Sequence, residues 1–212
     1  MRLFRGLIAV LVAVAAVSTA HADVIFDNGD SILFGGLLSS GGVLAADNFT
    51  LNEGESTITD IHWSGYYLLN TVPSDDFTVY IFEDNGGEPG AAPIHTIAGT
   101  ATRTDNGSNN LFVSNEYDYV MDIAPIDLLA NTTYWIVIES SVPLNEDMWF
   151  WSLSNLQTGD ANAKLAGVWL DADVELAFQL TNDGVVPEPA TMTLLGLGVV
   201  ALAVRKRFSR SK

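Results

Sequence analysis

Asp60-Ile61-His62 places two chemically capable side chains at a useful spacing. On an extended strand, residues two apart share a face, so Asp60 and His62 stand together. A hydrolase uses such a carboxylate–imidazole pair to activate a hydroxyl nucleophile. No Gly-x-Ser-x-Gly elbow supplies that nucleophile, and the pair reads as a strand histidine with an ordinary hydrogen bond. His95 is the other histidine downstream of residue 23. Two separated histidines are a poor basis for a catalytic zinc site, which draws on several histidines and a carboxylate. Asp75-Asp76, Glu83-Asp84 and Glu146-Asp147 invite the two-acid chemistry of glycoside hydrolysis. With 26 acids in the chain, adjacency carries little weight, and these pairs read as solvated acidic turns.

Two further groups bear on binding. Glu83, Asp84, Asn85 and Glu88 could offer oxygens to Ca²⁺ from one loop, but without the EF-hand order. Calcium is therefore left open as a cofactor, and no metal ligands are assigned. In Trp149-Phe150-Trp151 the two indoles fall on one strand face, where they could stack on sugar rings. Covering a hydrophobic core is the favoured reading, since Trp is highly buried on average. No catalytic residue is assigned, and the expectation is that the chain is not an enzyme.

The elements that position these residues read as β. Phe77, Val79 and Ile81 alternate with Thr78, Tyr80 and Phe82, and Tyr117 to Ile123 and Val174 to Thr181 show the same period of two. Tyr134 to Ile138 is continuously apolar, as a central strand is. Further strands are expected over Ser31–Leu38, Val43–Leu51, Ile58–Leu69, Ile94–Thr102, Met148–Leu153 and Lys164–Leu170. Asn or Asp before Gly marks turns at Asn28-Gly29, Asn85-Gly86, Asn106-Gly107 and Asp183-Gly184. About ten short strands with frequent turns predict an all-β, antiparallel β-sandwich, jelly-roll-like, over residues 23–184.

Charge divides the chain more sharply than fold does. Seven of its nine Lys and Arg lie at the two ends. Between Asp23 and Pro189 only Arg103 and Lys164 stand against 26 acids, a net of −24. Such a domain repels phosphate, which excludes nucleic acid as a partner. The absence of cysteine excludes disulfides, thiolate metal centres and a cysteine nucleophile.

Both ends read as addresses. Arg2 and Arg5 precede an 11-residue apolar run, Leu7 to Val17, and then Ala20-His21-Ala22. This is the pattern of a signal peptide, residues 1–22, cut by signal peptidase between Ala22 and Asp23. Eleven residues at 1.5 Å rise reach about half a hydrocarbon core, too short for a lasting anchor. At the other end, Pro187-Glu188-Pro189 precedes an uncharged stretch of 15 residues, 190–204, and then Arg205-Lys206-Arg207. The prolines hold the chain extended. The apolar run is expected to form a short helix in the inner membrane, with the basic tail, 205–212, inside.

Taken together, residues 185–212 resemble the PEP-CTERM sorting signal of Gram-negative bacteria: a Pro-Glu-Pro motif, a short transmembrane helix and a terminal basic cluster in fixed order. The resemblance implies an exosortase as partner, which recognises Pro187-Glu188-Pro189 and cuts nearby, with Arg205, Lys206 and Arg207 as the topology anchor. It further implies export, inner-membrane anchoring, then release to the cell surface or extracellular matrix of an exopolysaccharide producer. The expected role is structural or adhesive and linked to exopolysaccharide. The alternative is a secreted carbohydrate-binding or carbohydrate-active module using acidic loops and surface Trp.

Overall fold

In a computed structural model of the chain, the alternating segments become strands, and residues 22–109, 114–156 and 159–183 are described. The first six are β1 (Ala22–Asp27), β2 (Ser31–Leu38), β3 (Leu44–Thr50), β4 (Thr57–Tyr67), β5 (Asp76–Glu83) and β6 (His95–Thr100). There follow β7 (Thr102–Asn109), β8 (Asn115–Asp127), β9 (Thr133–Ser140), β10 (Trp149–Ser154), β11 (Asn162–Leu165), β12 (Val168–Asp171) and β13 (Phe178–Asp183). Residues Ala22–Asp183 cluster into one unit.

The strands form two antiparallel sheets of seven and six. The smaller runs β12-β11-β3-β9-β5-β6. The larger is organised by β4, an apolar-alternating strand of 11 residues. Along one edge it pairs with β8 over Thr57 to Tyr66. The other edge is shared: β13 pairs with Asp60 to Trp63, and β10 takes over at Gly65 to Tyr67. β1 extends the sheet beyond β13, β2 beyond β10 and β7 beyond β8.

The two sheets close over an aromatic core. Phe77 of β5 sits among Trp63, Tyr119 and Trp149 of the opposite sheet, at centroid distances of 5.1, 5.1 and 5.0 Å, edge to face with each. Such contacts contribute about 0.5–1.5 kcal/mol each beyond area burial. Their convergence fixes how the sheets stack as a sandwich.

Two glycines let β10 fit between its neighbours. A Cβ on Gly65 would lie 2.4 Å from the Trp149 ring and 2.7 Å from the Phe150 carbonyl oxygen. A Cβ on Gly36 would lie 2.4 Å from the Trp151 carbonyl oxygen. Trp149 and Trp151 are both fully buried, so they face the core as favoured, and the surface Trp of the carbohydrate alternative is corrected.

Several boundaries differ from expectation. Residues 105–107, expected as a turn, lie within β7, where a register shift between Asp105 and Asn109 absorbs them. Lys164 to Leu170 is not one strand but the β11–β12 hairpin, turning at Ala166-Gly167 with φ of 53° and 87°. Asn182 and Asp183 do not turn; they pair with Asp23 and Ala22 of β1. Among the described residues no helix is long and apolar enough to cross a membrane. The expected helix at 190–204, signal residues 1–21 and Pro187, Glu188, Pro189, Arg205, Lys206 and Arg207 lie outside the described residues.

Candidate functional site

The Asp60–His62 pair faces out from β4, since the intervening Ile61 and the following Trp63 enter the core. The two side chains do not meet directly among the described hydrogen bonds. Asp60 Oδ2 accepts from the hydroxyls of Thr59 at 2.7 Å and Thr181 at 3.1 Å. The Thr181 hydroxyl lies 3.4 Å from His62 Nε2 and so separates acid from imidazole. Thr181 is itself buried. A relay needs carboxylate on imidazole and imidazole on a reachable hydroxyl; here the hydroxyl sits between the other two. Beside them, the hydrogen bond to Asp60 and then its charge raise the Asp122 carboxyl above its ordinary value.

One or both acids of each pair accept hydrogen bonds within the fold. Asp147 is buried and accepts from the Leu69 and Thr71 amides, both at 2.6 Å, and from the Thr71 hydroxyl at 2.9 Å. Asp75 accepts from Arg103 at 2.8 Å, and Asp76 from the hydroxyls of Ser74 and Thr100. Asp84 accepts from Trp135 Nε1 at 2.8 Å and from the Gly86 and Gly87 amides at 3.1 Å. The Trp135 hydrogen bond, followed by those two amides, holds its carboxyl below the usual value against partial burial. The loop expected to offer oxygens to Ca²⁺ thus turns this carboxylate onto N–H donors. Among the described residues, no group of three or more His, Cys, Asp or Glu is set to hold a metal.

A cleft of about 420 Å³ opens on the same outer face, a size within the range of small-ligand sites. Its floor carries His62 and Ser64 of β4, Glu116 and Asp118 of β8, and Gln179 of β13. Asp27, Asp30 and Ser31 form one wall between β1 and β2, and Asn106 and Ser108 of β7 form the other. Strand pleating puts Glu116 and Asp118 on one face, while Tyr117 and Tyr119 between and after them join the core.

Glu116 organises the floor. It is 1% exposed. Its Oε1 accepts from the hydroxyls of Ser31 and, at 2.5 Å, Ser152, and its Oε2 from Asn106 Nδ2 at 3.3 Å. Asn106 also donates to Asp118 Oδ1 at 3.4 Å, which takes the Ser64 hydroxyl at 2.8 Å. Gln179 Nε2 donates to Asp27 Oδ2 at 3.3 Å. Next to Glu116 on β4, burial and then the Glu116 charge push the Tyr66 phenol up to about 12. Sequence reasoning singled out His62 but missed Glu116, Asp118, Asn106 and Gln179. The one signal available was the Glu116-x-Asp118 spacing beside an alternating strand.

The tail supplies the match to known proteins. The profile of the PEP-CTERM protein-sorting motif matches residues 185–207. No curated protein and no solved structure matches the chain. The matched span contains Pro187-Glu188-Pro189 and ends on Arg207. Such a motif implies export and processing by an exosortase. The chain thus carries a PEP-CTERM sorting motif at residues 185–207.

Proposed function

We propose that this protein is a non-enzymatic component of the cell surface or extracellular matrix, structural or adhesive in role and associated with exopolysaccharide. The observation that carries the proposal is the sorting motif at residues 185–207. In this reading, signal peptidase removes residues 1–22 and leaves Asp23 as the first residue. The apolar stretch 190–204 then holds the protein in the inner membrane, Arg205-Lys206-Arg207 stays in the cytoplasm, and exosortase cuts near Pro187-Glu188-Pro189.

The placement of the domain's reactive groups supports a non-catalytic role. Thr181 is buried between Asp60 and His62, and Asp75, Asp84 and Asp147 accept hydrogen bonds within the fold. The density of acids supports an extracellular, hydrated setting, because a net of −24 over Asp23 to Pro189 keeps molecules apart in solution.

The test is an immunoblot of membrane and extracellular fractions from the native host, with and without its exosortase. The expected result is a shortened extracellular form in the parent strain and full-length membrane protein in the deletion strain. Identical fractionation in both strains would remove the sorting reading.

A further inference from the structure

We infer that the cleft between β4, β8 and β13 is a binding site for a neutral saccharide, a chain of hexose units rich in hydroxyls and free of charge. The inference deepens the proposed matrix role and rests on it only for where the saccharide would come from.

The chemistry of the lining selects the ligand. Asp27, Asp30, Glu116 and Asp118 line the cleft, and neither of the domain's two strong cations, Arg103 and Lys164, does so. An anionic ligand, such as a uronate chain or a phosphate, would meet like charge with no counter-ion. A purely cationic ligand has donors only, and it would have to compete for carboxylates to which Ser64, Asn106 and Gln179 already donate. A sugar hydroxyl both donates and accepts, and the lining offers both functions side by side: Ser64, Asn106, Ser108 and Gln179 alongside the carboxylates.

The hydrogen-bond network is assembled before any ligand arrives. Glu116 is fixed by Ser31, Ser152 and Asn106, and Asn106 in turn reaches Asp118. These contacts join β2, β7, β8 and β10 across the sheet. Preorganised acceptors reduce the ordering cost of binding.

The backbone beside the cleft is unusual at Leu33. Leu33 lines the cleft and holds φ at 61°, a left-handed conformation unusual for a bulky residue. The next residue, Phe34, is 65% exposed. A backbone held out of its preferred region beside a cleft is a common mark of a functional rim. Phe34 does not itself line the cleft, and the inference places its exposed ring, one residue along the chain, against the apolar face of a hexose.

The test is isothermal titration of the full chain in lauryldimethylamine oxide micelles, whose head group carries no sugar. Five probes are compared: neutral cellotetraose, neutral mannotetraose, tetragalacturonate, spermine, and neutral oligosaccharides released from the host's own exopolysaccharide. At least one neutral probe should bind with Kd below about 1 mM. Asp118→Asn, Gln179→Ala and Phe34→Ala should each weaken it about tenfold or more at an unchanged melting temperature. Binding confined to the host-derived oligosaccharides identifies the host polymer as the source, and binding to the commercial sugars as well makes the site a general hexose site. The inference is overturned if tetragalacturonate or spermine binds as tightly as the neutral probes, if no neutral probe binds at about 10 mM, or if the three variants leave binding unmoved. These measurements use purified protein, so they fail independently of the sorting immunoblot.

Discussion

The carboxyl groups of Asp47 and Glu175 are brought together inside the sandwich by Asn28, whose Nδ2 donates to Asp47 Oδ2 at 3.0 Å and to Glu175 Oε2 at 2.9 Å. Asp47 is fully buried and Glu175 nearly so. Burial, and then the charge of Glu175, push the Asp47 carboxyl well above its ordinary value, outweighing the amides of Leu176 and Asn48 that favour its charged form. The folded state therefore holds a proton that the unfolded chain releases near the ordinary carboxylate pKa. The stability this proton gives is fully present below that unfolded value and is lost as pH rises through the raised folded one. Melting temperature should fall as pH rises above the ordinary carboxylate range. Glu175→Gln should reduce the total loss of stability across that rise in pH by about 1.4 kcal/mol for each pKa unit relieved. Parallel melting profiles for the two proteins would show that the pair is not the cause.

Gly65 makes the second case, a steric one. Its missing Cβ leaves room for the Trp149 ring and the Phe150 carbonyl. Gly65→Ala should cost about 1–3 kcal/mol, the usual range for overpacking a filled core. Gly99→Ala is the control. Its added Cβ would meet only the Met121 side chain, at 3.6 Å from Sδ, and should change stability by less than about 0.5 kcal/mol. Chemical denaturation measures both, and equal losses would contradict the packing account.

Arg103 offers a third test because cations are scarce in this domain. Its Nη1 lies 2.8 Å from Asp75 Oδ1, and its guanidinium sits 4.7 Å from the Tyr117 ring centroid. Burial raises the Asp75 carboxyl above its ordinary value, with Arg103 opposing that rise. Removing Arg103 should raise it further, so the charged carboxylate destabilises the fold more. Arg103→Met should cost about 1 kcal/mol, a modest sum because both side chains are partly solvated. The cost should be larger at neutral pH than at a pH near the ordinary carboxylate value, because protonating Asp75 removes the charge that Arg103 offsets. A loss independent of pH would assign the effect to packing on Tyr117 alone.

What the sequence revealed follows from how local each signal is. β5 and β9 were legible because Phe77, Val79 and Ile81 alternate and Tyr134 to Ile138 is apolar throughout. β7 was hidden because Asp105-Asn106-Gly107 is ordinary turn chemistry; only pairing with β8 holds it in the sheet. The β11–β12 turn was hidden for the opposite reason: Ala166-Gly167 has no Asn or Asp before the glycine. The end of β13 was mistaken for a turn because its partner, β1, begins at the segment read as the end of a signal peptide. The cleft was not legible at all. Glu116 is one acid among 26, and its distinction comes from Ser31 and Ser152, 85 and 36 residues away in the chain. No local pattern encodes that meeting.

The final prediction concerns the tail, where a single residue separates a signal from a tether. Glu188 lies between Pro187 and Pro189, five residues beyond Asp183, the end of β13. Flanking prolines fix φ and remove two amide donors, which disfavours continued strand pairing on either side of Glu188. A segment short of amide donors and poor in strand pairing suits recognition by a protease cleft. A passive tether would need no carboxylate there, and any polar residue would serve. Glu188→Ala should therefore leave folding and export intact while full-length protein accumulates in the membrane fraction. Exchanging Arg205, Lys206 and Arg207 together for Ser should have a different effect. It removes the charge that stops a 15-residue apolar run from slipping through the bilayer, so unprocessed protein should reach the medium. N-terminal sequencing of each extracellular form should begin at Asp23, and a chain still starting at Met1 would refute the signal-peptide reading. If Glu188→Ala is processed as the parent is, the Pro-Glu-Pro segment is a tether, and the exosortase recognises something else in residues 185–207.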